Sequence, residues 1–489
     1  LNRKTGVLWS GTRNRYAVIP FDAAAVVRVG MWALQVDSKG SEMKTKALLL
    51  TIVWLAFVVV FTRSHSAQTN ADPQLVAEIA KIKAIDNHAH PFRFVAEGDK
   101  PDDEFDALPL EGLEPFASKP RLMPSNPEYI GAWRVLFGYK HDDMSEAHLK
   151  ELMAAKQRVM RERGEGYPVW VLDQIGIETM FANRVAMGRG LQSPRYRWVS
   201  FVDALMVPLN NEAARRSNPD YRVFYLGESK LLKRYLAESN VAALPATLDE
   251  YLKRVVTATL ERQKRDGALA VKFEAAYLRK LDFDDAPESD ARRIYSKYVK
   301  GGEPPAAEYK LLQDYLFRYI SREAGRLSMA VHIHAIDGAG SFYKQSGSNP
   351  LLLEPAFNDP DLRKTNFVIV HGGYPFTDQT ASLMSKSNVY ADFSAQTFLL
   401  YPRALSAVLR NWLESYPDKV LFGTDAFALT PEVGWEEGGW LGVVTARQAL
   451  ALALTGMMND GEITRDRAME LARMVMRENA IKLYSLKSQ

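Results

Sequence analysis

Phe367-Val368-Ile369-Val370-His371-Gly372-Gly373 is the stretch that decides the fold. Four consecutive aromatic and aliphatic residues, bounded by glycines, describe a buried strand. The strand delivers a histidine at its carboxyl end, and the two glycines predict a close approach of backbone to a ligand. Seven similar runs surround it: Ile82–His90, Glu178–Arg184, Val199–Val207, Ala268–Tyr277, Met329–Asp337, Asn388–Ser394 and Lys419–Phe427. Amphipathic helical stretches lie between them. In Glu308–Leu327 the residues Leu312, Tyr315, Leu316, Tyr319 and Ile320 form one apolar face. Thr464 is the N-cap of a closing helix carrying Ala468, Leu471, Ala472, Val475 and Ala480.

Eight strands alternating with helices predict an α/β fold, a (β/α)8 TIM barrel over residues 80–486. His334 and His371 are separated by one strand-helix unit, and His371 and Asp425 by two. The span from His90 to Lys272 is far longer than its three units need. The surplus is placed at about 91–170, as a helical insertion after strand one that includes the helix Ser145–Arg163.

Residues 1–42 show neither a helical nor a strand period and are read as a non-native or unstructured extension. From Met43 the chain has the order of an export signal. Lys44 and Lys46 precede the almost wholly apolar Ala47–Phe61, and Arg63-Ser64-His65-Ser66-Ala67 supplies small residues for cleavage. Residues 43–67 are expected to be a signal peptide, giving a periplasmic or secreted protein, with a membrane anchor as the alternative.

Composition is that of a folded soluble domain, at 47% hydrophobic and 25% charged residues. The net charge of +3 is carried by the first 66 residues, and the rest of the chain is mildly acidic. No basic block is present, so a nucleic-acid partner is not expected. The expected partner is a small-molecule substrate. A homo-oligomer is left open, and membrane contact is confined to an uncleaved signal or anchor. There is no cysteine, so a metal would be held by His, Asp, Glu or a modified Lys.

The chain has only eight histidines, yet two His-x-His pairs occur, His88-Ala89-His90 and His332-Ile333-His334. A lone histidine on a strand is more often a satisfied core residue than a ligand. Two pairs at strand ends, with side chains two apart on one face, point to metal. His371 and Asp425, the latter ending Val420-Leu421-Phe422-Gly423-Thr424-Asp425, complete a converging set. Lys272, in Ala270-Val271-Lys272-Phe273, is costly inside an apolar strand unless paired or modified. A metal-bridging carbamate, a structural ion pair and a substrate-carboxylate ligand all fit it. Imidazoles with one carboxylate suit one or two divalent ions, zinc being the commonest occupant.

Ala84-Ile85-Asp86-Asn87-His88-Ala89-His90-Pro91, Val370-His371-Gly372-Gly373 and Phe422-Gly423-Thr424-Asp425 resemble the metal-dependent amidohydrolase superfamily, in its second amidohydrolase family. Ala275-Ala276-Tyr277 and Asn349-Pro350-Leu351 resemble one branch, the amidohydrolase domain fused elsewhere to glutamine-synthetase-like domains. The resemblance implies His88, His90 and His334 as metal ligands, with Asp425 as ligand and proton shuttle. It implies that His371 binds a second metal or polarises the substrate carbonyl, and it gives His332 no fixed place beyond a supporting one. Tyr277-Leu278-Arg279 departs from the family's adjacent tyrosine and arginine, which puts a substrate-anchoring arginine in doubt. The expected activity is hydrolysis of an amide, ester or lactone bond by metal-activated water. The alternatives are a decarboxylase or hydratase of the same family and a non-catalytic metal- or ligand-binding barrel. Aromatic residues near the strand ends (Phe94, Tyr374, Phe393, Phe427, Trp435) suggest an organic body in the pocket.

Overall fold

A computed structural model describes residues 70–107 and 113–487. The extension and signal-peptide readings lie outside these residues. Eight parallel strands run in sequence order: β1 Ala84–Ala89, β2 Ile177–Arg184, β3 Tyr196–Phe201, β4 Ala268–Phe273, β5 Ala330–His334, β6 Phe367–Val370, β7 Val389–Asp392 and β8 Val420–Leu421. All eight apolar runs of the sequence overlap one, although β2 begins one residue and β3 three residues before its run. Every residue of β1, β5 and β6 is buried, as expected of strands covered on both faces.

The seam between β8 and β1 closes the barrel. Asn87 N–H donates to Phe422 O at 2.9 Å, Asp425 N–H to His88 O at 2.7 Å and His90 N–H to Ala426 O at 2.8 Å. Several strands are shorter than their apolar runs, because the chain leaves the ladder where it enters the site. Asp203–Met206 turns helical after β3, and Ala275–Tyr277 forms a 3₁₀ turn after β4. Beyond Leu421 the chain bonds across the seam to β1, and Asp425 takes a φ of 59°.

The floor of the barrel is packed. Ile85, Phe181, Val199, Ala270, Ala330, Val368, Val370 and Leu421 form one apolar layer with Ala480 and Tyr484. Those last two residues belong to the carboxyl-terminal helix Asn479–Tyr484. That helix follows Arg465–Arg473, whose N-cap is Thr464, the hydroxyl accepting from Arg467 N–H at 3.2 Å.

The β1–β2 connection holds the helices Tyr129–Phe137, Glu146–Arg163 and Tyr167–Ile175. The extra chain is not confined to it. Residues 202–267, between β3 and β4, carry further helices, including Tyr221–Glu238 and Ala258–Arg265. The periodicity of that segment is too mixed to have marked it as extra.

The helices after β1 are held to the helix Trp435–Asn459, which is apolar and long enough to cross a membrane but has 72% of its apolar window buried. Trp133 Nε1 donates to Glu432 O at 3.1 Å, Tyr167 OH to Glu436 at 2.7 Å and Lys156 Nζ to Glu437 at 2.8 Å. Burial pushes the Glu437 carboxyl up to about 7 against the pull of Lys156. Lys156→Ala should lower the unfolding free energy by about 3–5 kcal/mol at pH 8, since it strands a buried carboxylate. An acid whose folded-state pKa is raised is penalised when ionised, so the loss should shrink as pH falls through 7 towards 5. Urea unfolding at the two pH values checks this, and a loss independent of pH would contradict the pairing.

Candidate metal centre

The four histidines and Asp425 meet at the carboxyl end of the barrel. His88 lies in β1 with His90 just beyond its end, His334 ends β5, His371 follows β6 and Asp425 follows β8. His88 Nε2 is 3.2 Å and His90 Nε2 3.5 Å from Asp425 Oδ1. Donor atoms of these three residues all lie within 4.8 Å of one another. Ligands about 2.0–2.1 Å from a tetrahedral ion would sit roughly 3.3 Å apart, so the spacing fits one ion. The His88 and His371 rings stand edge to face at 4.9 Å, as do His334 and His371 at 4.8 Å.

The hydrogen bonds indicate where the lone pairs are. Lys272 Nζ donates to His88 Nε2 at 3.4 Å. An ammonium only donates, so this nitrogen faces the Asp425 oxygen lone pair to lone pair. Such a contact calls for a cation or proton between them. A second chain begins at Ser394 Oγ, which donates to Asp392 at 2.6 Å and so accepts from His371 Nδ1 at 2.8 Å. His371 Nε2 then accepts from His334 Nδ1 at 3.2 Å. His334 Nε2 is left buried with no hydrogen-bond partner among the described residues. A neutral imidazole with a bare nitrogen is the metal-binding form. Burial holds His88, His334 and His371 well below the ordinary histidine range, and His90 at about 4. Burial pushes the Asp425 carboxyl well above the usual range, with Lys272 opposing.

Backbone strain accompanies this geometry. His371 and Asp425 take φ of 65° and 59°, conformations that cost roughly 1–3 kcal/mol outside glycine. His371 is pinned by its N–H on Asp392 Oδ1 at 2.9 Å, and Asp425 by its N–H on His88 O. The close approach that the glycines after His371 allow is to the protein's own core. A Cβ on Gly372 would meet Trp412 at 2.2 Å, and one on Gly373 would meet Thr380 at 2.5 Å.

His332 lies one layer below His334, with Nε2 2.7 Å from Tyr484 OH. Tyr484 OH also bonds Asn87 Oδ1, and Asn87 Nδ2 donates to Asp392 at 2.7 Å. The floor of the barrel is thereby wired to the carboxylate that holds His371. Asp86 binds across the same β8–β1 seam, accepting from Thr424 N–H at 2.9 Å and from its hydroxyl.

Lys272 is fully buried and paired with Glu274 at 3.1 Å. Arg279 points away from the centre, to Asp314 at 2.6 Å and Gln313 at 3.0 Å on a flanking helix. Beside Asp425 lies a chamber of about 10 Å³ lined by Leu122, Tyr129, Phe398, Phe427, Leu429 and Val433, no larger than one water. Of the aromatics read from sequence only Phe427 reaches it, and Phe393 and Trp435 are core residues. Ser394, Asp392, Asn87 and Tyr484 were not read as site residues. An acid and a hydroxyl two apart at the end of a predicted strand were the available signal for the first two.

His88→Ala or His90→Ala should each remove at least one divalent ion per chain from purified protein while circular dichroism stays near wild type. Elemental analysis checks this, and full metal retention in both variants would contradict the site.

The chain matches the Amidohydrolase family model over residues 202–486. That span takes in Lys272, His332, His334, His371 and Asp425. Protein fluG of Emericella nidulans is 25% identical over 258 residues, 50% of this chain and 29% of that protein. The chain thus spans less than a third of that relative's length. Among solved structures, glucuronate isomerase of Caulobacter crescentus superposes with a TM-score of 0.56 at 13% identity, covering 85% of this chain and 94% of that one. A protein of Lactobacillus casei assigned as a metal-dependent hydrolase gives 0.53 at 14% identity, covering 85% and 98%. These likenesses show the barrel fold, and the family match, which spans more than half of the sequence, shows that the chain belongs to the amidohydrolase family.

Proposed function

We propose that the protein is a metal-dependent hydrolase that cleaves an amide, ester or lactone bond of a small organic substrate. The observation that carries this reading is the convergence of His88, His90 and Asp425, while His334, packed against His371, carries a bare buried nitrogen. A divalent ion, zinc by the chemistry of the donor set, supplies a Lewis acid and a water acidified towards a pKa of about 7. His88, His90 and His334 would hold it, with Asp425 as the carboxylate ligand. Asp425, its carboxyl pushed up by burial, accepts the proton of the attacking water and returns it to the leaving group. Both His371 nitrogens are engaged, by Ser394 and by the His334 N–H, so to polarise the substrate carbonyl or to bind a second ion His371 would exchange its contact with His334 for that one. Lys272 serves this reading best as the fixed cation beside His88. An apolar wall lies next to Asp425. The narrower resemblance to the domain fused elsewhere to glutamine-synthetase-like domains, and export by the Met43–Ala67 segment, complete the reading from sequence alone.

Asp425→Asn keeps the side chain's size but cannot carry a proton. With a panel of N-acyl amino acids, dipeptides, lactones and aromatic acids, this variant should lose about 10²–10⁴ in turnover on the best substrate. Wild-type product should take oxygen from labelled water into its new carboxylate. Release of carbon dioxide with one solvent deuterium on carbon would contradict hydrolysis and favour a lyase of the same family.

A further inference from the structure

His334 Nε2 and His332 Nδ1 are both buried without a hydrogen-bond partner among the described residues. The two rings stand one layer apart on β5, and the other nitrogen of each enters the same run of side chains. From His334 the run passes to His371 at 3.2 Å, to Ser394 at 2.8 Å and to Asp392 at 2.6 Å. From His332 it passes to Tyr484 at 2.7 Å, on to Asn87, and to Asp392 at 2.7 Å. The two branches meet on one fully buried carboxylate.

That carboxylate is the only group of the run with no hydrogen to give. Two of its donors, the backbone N–H groups of His371 at 2.9 Å and Ser394 at 3.1 Å, cannot be turned round. The hydrogens of both branches therefore order towards it. The Ser394 hydroxyl donates to Oδ1, so it accepts from His371 Nδ1–H, and His371 Nε2 accepts from His334 Nδ1–H. On the other branch the Asn87 amide donates to Oδ2, its oxygen accepts from the Tyr484 hydroxyl, and Tyr484 accepts from His332 Nε2–H. A neutral ring carries one hydrogen, and this order leaves Nε2 bare in His334 and Nδ1 bare in His332. Those are the two nitrogens that lack a partner.

Resting on the metal site of the reading above, we propose that Asp392 is a positioning residue that sets the ring hydrogens of His334, His371 and His332. It touches neither His334 nor an ion held by it, yet it decides that His334 offers Nε2 as the ligand nitrogen. A ring whose hydrogen enters a chain ending on a carboxylate is also the stronger donor at its other nitrogen. A purely structural Asp392 would hold the His371 backbone, with its φ of 65°, and leave the ring hydrogens of His332 and His334 unordered.

The test uses the full chain with isotope-labelled histidine, freed of metal by chelation. Proton–nitrogen correlation spectra of the rings report which nitrogen carries the hydrogen. Wild type should show it on Nδ1 in His334 and His371 and on Nε2 in His332, and any of the three in the other form would overturn the proposal. Asp392→Asn keeps the oxygen that receives the two backbone N–H groups and turns the other oxygen into a donor. Asn87 must then reverse its amide and Tyr484 must donate to His332, so the His332 hydrogen should move to Nδ1. Two side chains separate that ring from the substitution, and packing alone would not move its hydrogen. Zinc affinity of the same variant should fall about 10–100-fold, the usual weight of a lost outer partner. Tyr484→Phe removes the floor branch alone and should change zinc affinity by less than about threefold. An unmoved His332 hydrogen or an unchanged zinc affinity in Asp392→Asn would overturn the proposal, and so would an equal loss in Tyr484→Phe. If wild type binds no zinc, the metal reading fails, and the ring hydrogens still decide whether Asp392 orders them. If Asp392→Asn does not fold, the wild-type rings decide in the same way.

Discussion

The seam between the first and last strands is the constraint on which the rest depends. Asp425 donates its N–H to His88 O at 2.7 Å, while Asp86 grips Thr424 from the other side. Backbone bonds thereby place two proposed ligands from opposite ends of the sequence with side-chain atoms 3.2 Å apart. The same bonds close the barrel. Closure of the fold and assembly of the centre are one event, so the positive φ of Asp425 is sustained by the sheet itself. A residue in this conformation costs stability, and the cost is offset where backbone bonds leave it no alternative.

From that seam the structure extends downwards and outwards. Below it, Tyr484 of the last helix enters the barrel floor and joins His332, Asn87 and Asp392. Asp392 in turn fixes the backbone of His371 and, through Ser394, its ring. Every buried side-chain polar atom in this run except His332 Nδ1 has a partner, and a polar network satisfied to that extent rigidifies an apolar barrel. Outwards, the extra helices after β1 are fastened to Trp435–Asn459 by Lys156 and Tyr167, and to the turn before it by Trp133, and the β1–β2 connection brings Leu122 and Tyr129 to the wall beside Asp425.

Much of this was legible in the sequence. Buried parallel strands are apolar runs closed by turn residues, so all eight were found, as were the N-cap at Thr464 and the helix beginning after Ser145. The two His-x-His pairs stood out because histidine is scarce and alternation on a strand sends both rings inward. Strand ends were less legible. Beyond Leu421 the chain leaves its own ladder for long-range bonds to β1, which no local pattern announces. The supporting residues were illegible for the same reason. Tyr484 meets Asn87 across nearly the whole domain. The glycines after His371 were legible as a close approach, but what approaches is Trp412 and Thr380.

The central claim is that His88, His90 and Asp425 hold a divalent ion, with His334 proposed as a further ligand. X-ray absorption spectroscopy of zinc-loaded protein tests it most directly. The account predicts a four- to five-coordinate nitrogen and oxygen shell at about 2.0–2.1 Å, with the outer-shell scattering of at least two imidazoles. A six-oxygen shell without imidazole scattering would contradict it.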